Sequence, residues 1–286
     1  METNEKNKLE SSTLYLVGTP IGNLGDLSDR AKKVLSEVDF VAAEDTRNSM
    51  KLLSCFDIHT ELVSYYEHNK RESGERIVAR LLGGESCALI TDAGMPAISD
   101  PGEDLVRLCA DAGVTVRIVP GPSACVSALA LSGLSTLRFA FEGFLPAQKS
   151  DRRKRLEAVA NEDRTMIFYE APHKLRATLD DMSDIFGGER KIALCRELTK
   201  LNEEAERCTL ADAVKLYKEK EPRGEYVLVI EGGCGKSKEE NPLLSLSPEE
   251  HVSHYESQGM KRMDAIKAAA KDRGMTKSEL YKILVD

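Results

Sequence analysis

The 286-residue chain contains no tryptophan, and aromatic residues make up only 5% of it. It also lacks long apolar runs, since no stretch approaches the roughly 18 residues that a membrane-spanning helix needs. The first thirteen residues are polar and have no signal-peptide core. We therefore expect a cytoplasmic protein without a membrane partner. The 41% of hydrophobic and 31% of charged residues are typical of globular proteins and exclude fibrous and disordered classes.

Patterns that bind metals, dinucleotides or triphosphates are missing as well. The seven cysteines are scattered and form no C-x-x-C pair, and the five histidines form no H-E-x-x-H cluster. No loop matches G-x-G-x-x-G or G-x-x-x-x-G-K-[ST]. We expect no disulfide framework, no metal site, and cysteines that act as small buried apolar residues.

The charge of the chain is unevenly distributed. A net charge of −8 argues against nonspecific coating of nucleic acid. Two stretches are nevertheless basic: Lys149 to Arg155 has five cations and one acid, and Lys261 to Lys282 has seven cations and three acids. The first, which includes Arg152 and Arg153, is either a solvated helix face or a phosphate-binding surface. The second suits nucleic acid, although a solubilising or dimer-stabilising appendage is the alternative.

Hydrophobic periodicity predicts an α/β protein with three parts. Apolar strands alternate with helical patterns over residues 13–122, which indicates an α/β domain with a largely parallel sheet. Residues 123–233 continue the alternation with shorter connections, so a second α/β domain should mix parallel and antiparallel pairing. A linker at 232–246 leads to residues 247–286, where capping signals predict three short helices.

Three of the predicted strands end in loops rich in glycine and proline. These loops follow the strands at Leu14 to Val17, Cys87 to Thr91 and Val114 to Val119. Because ligands in open α/β sheets bind beyond the carboxyl ends of the strands, the three loops are expected to converge on one cleft. The alternative is that each is an ordinary βα connection. Within the second loop, Ser99 or Asp100 is the expected N-cap of the next helix.

Charged residues follow two further strands. Asp45 and Arg47 come directly after the strand at Phe40 to Ala43, where they either cap the next helix or contact a polar or phosphate-bearing substrate. Lys174 follows a strand end and Pro172, in the first turn of a helix, where a cation opposes the helix dipole. That local conflict hints at a functional role.

Eight segments, taken together, carry a resemblance. In chain order they are GTPIGNLGD, AEDTR, TDAGMPAISDPG, PGPSA, EGFLP, YEAPHK, RELTK and RGEYVLVIEG. The series, from Leu14 to Gly232, resembles the ribosomal small-subunit RNA methyltransferase I family, cytidine 2′-O-methyltransferases within the tetrapyrrole methylase superfamily. The C-terminal residues 247–286 resemble that family's small helical RNA-binding module.

The resemblance implies two α/β domains with S-adenosyl-L-methionine held between them, in a homodimer that acts on small-subunit (16S) ribosomal RNA or the assembled subunit. Asp45 and Glu170 are the implied candidates for orienting or deprotonating a ribose 2′-hydroxyl. Arg47, Arg152, Arg153 and Lys174 are the candidates for RNA contact. The residues expected to surround the cofactor are Thr19, Pro20, Gly94, Met95, Ile98, Ser123, Ala124, Tyr169 and Gly224.

Two alternative functions stay open at the level of sequence. A small-molecule tetrapyrrole methylase acting on a cobalamin precursor would share the cofactor loops but would have no use for a basic appendage. A non-catalytic RNA-binding factor would have the basic stretches, and its glycine and proline loops would only connect elements.

Overall fold

The computed structural model describes residues 8–233, 243, 246–273 and 275–285. The chain divides into two compact units. The larger comprises the residues up to 160 together with 164–231, and the smaller comprises 161–163 together with the residues from 232 onward. The larger unit has an α/β fold with two five-stranded sheets. Its subdivision into domains at residue 122 stays a prediction.

The elements of the first sheet and its helices are β1 (Thr13–Val17), α1 (Asp29–Glu37), β2 (Phe40–Ala43), α2 (Thr46–Ser54), β3 (Glu61–Ser64), α3 (Lys70–Leu82), β4 (Cys87–Ile90), α4 (Gly102–Asp111) and β5 (Thr115–Val119). The sheet is parallel throughout and has the strand order β3-β2-β4-β1-β5. Successive residues of β1 point to opposite faces, so Tyr15 and Val17 pack with α1 and α2, and Leu14 packs with α3 and α4. The sheet is therefore buried on both sides.

The second sheet has the order β6-β7-β10-β8-β9 and mixes both pairing modes, as predicted. β6 and β7 are parallel, and the other neighbours are antiparallel. Helix α5 covers one face, and α6, α7 and α8 cover the other. Its elements are α5 (Ala124–Ser132), β6 (Phe139–Phe144), α6 (Lys149–Val159), β7 (Thr165–Glu170), α7 (Pro172–Phe186), β8 (Lys191–Arg196), β9 (Glu204–Thr209), α8 (Leu210–Glu219) and β10 (Tyr226–Ile230).

The smaller unit contains the three predicted helices, α9 (Pro248–Ser257), α10 (Arg262–Asp272) and α11 (Lys277–Val285). Ser247 and Glu250 form the expected capping box at α9, because each side chain bonds to the other residue's backbone amide. Thr276 and Glu279 do the same before α11. The helices share a small apolar core, and most of the predicted linker lies outside the described residues.

Two details of the sequence interpretation were wrong. The N-cap of α4 is Pro101, one residue after the expected Asp100, although the Asp100 carboxylate does accept hydrogen bonds from the amide of Gly102, the first helical residue, and from that of Ala97. Of the cysteines expected to be buried, Cys55 is exposed and Cys208 is half-buried, and Cys234 lies outside the described residues. Within the part of the chain that the structure describes, no helix is long and apolar enough to cross a membrane.

Candidate active site

The three glycine and proline loops meet, as predicted, where β4, β1 and β5 end side by side. The Thr19 amide donates to the Gly94 carbonyl at 2.9 Å, and the Gly94 amide donates to the Thr19 carbonyl at 3.1 Å. A Cβ at Gly18 would lie only 2.7 Å from the Cα of Gly121. The first and third loops thus touch through two glycines, and only residues without side chains permit this approach.

These loops form one side of a cavity of about 420 Å³, a volume within the usual range for small-molecule sites. Glu44, directly after β2, and the ends of β6, β7, β8 and β10 supply the rest, so both sheets contribute to its wall. The wall combines apolar side chains with carboxylates and one lysine. The lining residues that enter the argument below are Ile21, Glu44, Asp92, Gly94, Met95, Ile98, Asp100, Ser123, Ala124, Phe144, Tyr169, Glu197, Leu198, Lys200 and Val227.

The residues expected to surround a cofactor fall into two groups. Thr19 and Pro20 are buried behind the wall, where Thr19 also donates its hydroxyl to the Thr91 carbonyl at 3.1 Å. Gly224 adjoins the wall with φ +74°, and a Cβ there would lie 2.4 Å from Glu197 Oε1. The other six line the cavity: Gly94, Met95, Ile98, Ser123, Ala124 and Tyr169.

Backbone strain is concentrated in two segments of the cavity wall. Ala97 and Ser99 have φ values of +66° and +64°, and Glu197 and Thr199 have +52° and +63°. Such left-handed conformations cost non-glycine residues about 1 to 3 kcal/mol each and are typical of functional sites. The surrounding hydrogen bonds maintain them: the Asp100 carboxylate holds Ala97, and the Lys200 ammonium lies 3.1 Å from Glu197 Oε1.

Acidic side chains give the cavity a negative wall. Burial raises the pKa of Glu44, and the neighbouring charges of Asp92 and Asp100 raise it further. The Oδ2 atom of Asp100 is buried, and none of the described residues donates a hydrogen bond to it. A ligand that is cationic or carries hydroxyl or amino donors would satisfy this wall.

Asp45, the acid beside Glu44, is not part of the cavity wall. Its carboxylate caps α2 by accepting a hydrogen bond from the Arg47 amide at 2.9 Å. The Arg47 guanidinium also bonds to both carboxylate oxygens, at 3.1 and 2.9 Å. These bonds lower the pKa of Asp45 to about 2. Asp45 therefore caps α2, as the structural alternative predicted, and its catalytic role stays a prediction.

Glu170 is likewise engaged by the helix that follows it. The side chain is buried, accepts a hydrogen bond from the Ala171 amide at 2.8 Å, and accepts another from the Thr178 hydroxyl at 2.5 Å. Its neighbour Tyr169 faces the cavity. Adjacent residues of a strand point to opposite faces, and of these two only Tyr169 lines the wall. The catalytic role predicted for Glu170 also stays a prediction.

The cations predicted to contact RNA have different surroundings. Arg152 is buried, and its guanidinium Nη2 lies 2.7 Å from Asp181 Oδ2. Arg153 is half-buried and contacts Asp181 at 2.8 Å and Asp184 at 3.2 Å. Lys174 is half-buried in the first turn of α7. Arg152 and Arg153 thus hold α6 to α7, and the exposed cations of α6 include Lys149 and Lys154.

Several cavity residues were not singled out from the sequence. Glu197, Leu198 and Lys200 belong to the RELTK segment, and Phe144 belongs to EGFLP. Both segments were recognised as motifs, but no local pattern assigned a role to these side chains. Their positions depend on strand pairing in the second sheet and on the bend of β6.

Comparison with known proteins agrees with the fold. The sequence model of the family of tetrapyrrole (corrin/porphyrin) methylases matches residues 13–214 of this chain. Proteins named ribosomal RNA small subunit methyltransferase I are 50% identical in Halalkalibacterium halodurans, over 96% of this chain and 95% of that protein, and 46% identical in Bacillus subtilis, over 96% and 94%.

Solved structures extend the similarity to the fold. The uroporphyrin-III-C-methyltransferase of Thermus thermophilus superposes with a TM-score of 0.55 at 21% identity, covering 77% of this chain and 94% of that one. At that identity the likeness supports the fold alone. The sequence matches support more, and the protein is a methyltransferase that belongs to the tetrapyrrole methylase family and, within it, to the ribosomal RNA small subunit methyltransferase I group.

Proposed function

We propose that the chain transfers a methyl group from S-adenosyl-L-methionine to the ribose 2′-oxygen of a cytidine in small-subunit (16S) ribosomal RNA. The observation that carries this proposal is the extent of the similarity. Relatives named ribosomal RNA small subunit methyltransferase I are 50% and 46% identical to the chain over 96% of it, whereas the uroporphyrin enzyme is 21% identical. The higher sequence identity supports a ribosomal RNA substrate over a tetrapyrrole.

The cavity has the chemistry that this cofactor needs. Ile21, Leu198 and Val227 provide apolar surface for an adenine or an aliphatic chain. The carboxylates of Glu44 and Asp100 suit the positive charge and the amino and hydroxyl donors of the molecule. When bound, S-adenosylmethionine supplies a methyl group on a sulfonium centre, which is already a good leaving group.

The protein's contribution is therefore mainly orientation, from which roughly 7 to 11 kcal/mol of a barrier can come. Of the two acids that follow β2, Glu44 lies on the cavity wall, and Asp45 is held by α2 and Arg47. We assign to Glu44 the task of orienting the ribose hydroxyl and accepting its proton. Its raised pKa makes it a stronger base than an ordinary carboxylate.

Contact with the RNA backbone is assigned to exposed cations. In the smaller unit, Lys267, Lys271, Lys277 and Lys282 are exposed on α10 and α11, whereas Arg273 is bonded to the buried His251. Exposed lysines can neutralise phosphates without discriminating between bases. The basic helices thus suit an RNA-binding role.

The proposal includes a cytoplasmic homodimer. Strand β5 is an edge strand of the first sheet and exposes about half of Ile118. An exposed edge with an apolar side chain is suited to contact with another chain. Sedimentation equilibrium tests this part of the proposal, since a monomeric mass at micromolar concentration would contradict it.

Transfer of radiolabelled methyl from S-adenosylmethionine to small subunits from a strain lacking this protein tests the main proposal. Nucleoside analysis of the RNA is expected to show label in 2′-O-methylcytidine. Label in another nucleoside would correct the substrate position. No label, with S-adenosylmethionine bound in calorimetry, would contradict the ribosomal substrate.

A further inference from the structure

Phe144 is an exposed aromatic side chain on the wall of the cavity. It is the last residue of β6, 61% of its surface is accessible, and it lines the cavity beside Tyr169. Large apolar side chains at such positions lose water contacts when a flat ligand covers them. Neither the cofactor loops nor the proposed role of Glu44 uses this ring.

The backbone of β6 is bent immediately before this residue. Pairing with β7 shifts between Phe141 and Gly143, so Glu142 is an additional residue in the strand. Gly143 has φ +65°, and a Cβ there would lie 3.3 Å from the Ser99 hydroxyl of the second loop. β-bulges commonly redirect a side chain next to an active site. Here the bulge carries the strand end to the cavity.

The ring of Tyr169 holds Phe144 in place, and Phe141 packs in turn against Tyr169. The ring centroids of Phe144 and Tyr169 are 5.4 Å apart at an interplanar angle of 64°. Those of Tyr169 and Phe141 are 5.0 Å apart at 67°. These are edge-to-face geometries, which favour a defined orientation. A ring that is already held in position loses little entropy when a planar group stacks on it.

We propose that Phe144 is the stacking platform for the nucleobase of the RNA nucleotide that is methylated. Enzymes that modify a single nucleotide commonly take its base out of the stack, and proteins receive unstacked bases on aromatic rings. The RNA base is favoured over the cofactor's adenine because the ring is largely accessible and belongs to β6, outside the three loops that are expected to hold the cofactor.

The segment after Phe144 supports a nucleotide as the ligand. Helix α6 begins at Lys149, and Lys149 and Lys154 are exposed on it. Exposed cations a few residues beyond an aromatic platform are the combination with which proteins bind single-stranded RNA. This inference rests on the proposed methylation of RNA and adds the site at which the target base is held.

The first experiment replaces Phe144 by leucine in the full chain and measures methyl transfer to small subunits. Stacking of one base contributes enough that its loss is expected to raise the KM for subunits roughly 5- to 100-fold. The dissociation constant for S-adenosylmethionine, measured by calorimetry without RNA, is expected to stay within twofold. The matched control is Phe139→Leu, because Phe139 is 42% exposed in the same strand but does not line the cavity.

The second experiment uses the absence of tryptophan from the chain. In Phe144→Trp the new indole is the only one, so its fluorescence reports on this position alone. Oligocytidylate, added with S-adenosylhomocysteine, is expected to quench it, and an abasic oligomer of equal length is not. Phe139→Trp serves as the control for quenching that does not come from the cavity.

An unchanged KM for subunits in Phe144→Leu would overturn the inference, whatever the fluorescence shows. Weaker S-adenosylmethionine binding with S-adenosylhomocysteine binding unchanged would overturn it in favour of a contact between the ring and the sulfonium cation. Equal weakening of both would place the cofactor's adenine on the ring. If the unsubstituted protein fails to methylate subunits, the proposed function fails instead, so the two failures are distinguishable.

Discussion

The two sheets of the larger unit contribute to the cavity in different ways. At the carboxyl edge of the first sheet, Thr19 and Gly94 bond backbone to backbone, and Gly18 touches Gly121. The second sheet instead contributes the side chains of Phe144 and Tyr169. A backbone surface has a fixed shape, whereas a side-chain surface can be changed one residue at a time. We therefore assign the cofactor mainly to the loops of the first sheet, with apolar contacts from Leu198 and Val227, and the RNA base to Phe144 of the second sheet, and the predictions below test that division.

The largest effect is expected at Asp181, which belongs to the scaffold of the second sheet. This buried carboxylate pairs with Arg152 and Arg153, and breaking such a pair costs about 3 to 5 kcal/mol of unfolding free energy. Asp181→Asn should show this loss in urea titrations and should leave S-adenosylmethionine affinity unchanged at temperatures where it is folded. Asp184→Asn is the control, because Asp184 is exposed and should cost less than about 1 kcal/mol.

The stability that Asp181 contributes through Arg152 and Arg153 depends on pH. Burial raises the pKa of Asp181, but the hydrogen bonds from Arg153 and Arg152 outweigh it and hold the pKa below the usual 3.8. The unfolded chain therefore takes up this proton first, and the stability that the pair provides is lost as the pH falls below about 4. Acid titrations of Asp181→Asn should lack this component. Equal acid sensitivity in both proteins would contradict the assignment.

A smaller effect is expected at Glu44, which tests whether the first sheet provides any side-chain chemistry. Glu44→Gln should lower kcat at least roughly 100-fold, since it removes the group that accepts the proton. Asp45→Asn is the matched control, because asparagine caps a helix about as well as aspartate. A larger loss in Asp45→Asn than in Glu44→Gln would return the catalytic role to Asp45.

The pH profile sharpens the assignment of Glu44. Because burial and the charges of Asp92 and Asp100 raise its pKa, activity should increase as the pH rises through that value, and Glu44→Gln should lack this limb. The stability of the fold changes with pH in the opposite direction to the activity. Above the usual 4.5 the folded protein keeps a proton that the unfolded chain has lost, so ionising Glu44 lowers stability as the pH rises.

The smallest effect is expected in the smaller unit. Replacing both Lys267 and Lys271 by alanine should raise the KM for subunits about 3- to 10-fold and reduce its dependence on salt, because exposed lysines contribute mainly by displacing counterions. Replacing Lys215, which is exposed on α8, is the control. An unchanged salt dependence in the double variant would assign the smaller unit to another role.

Local signals predicted the fold and the loops, and six of the residues expected around the cofactor line the cavity, but Glu44 and Phe144 were not singled out from the sequence. The strands ending at Val17, Ile90 and Val119 are apolar runs followed by glycine and proline, and a parallel sheet brings their ends together. Whether Glu44 or Asp45 lines the cavity depends on which of the two caps the first turn of α2, and the structure shows that Asp45 does. The pairing of Arg152 with Asp181 could not be foreseen from the sequence, because the two residues are 29 positions apart.

Phe144 illustrates a further limit. In a regular strand, Phe139 and Phe141 would lie on one face of the sheet and Phe144 on the opposite face. The bulge at Glu142 changes that register, and it follows from a glycine with φ +65° and from pairing with β7. A bulge of this kind has no reliable signature in a single sequence, so the exposed ring emerged only from the structure.

The most direct test of the division between the sheets is calorimetric titration of S-adenosylmethionine into two variants. A methyl at Gly121 would lie 2.9 Å from the Cα of Gly18, so Gly121→Ala must separate the two loops, and its affinity should fall roughly 100-fold. Gly83→Ala, at the end of α3, is the matched glycine control. Phe144→Leu should bind the cofactor as the unsubstituted protein does. Unchanged affinity in Gly121→Ala together with reduced affinity in Phe144→Leu would contradict the account.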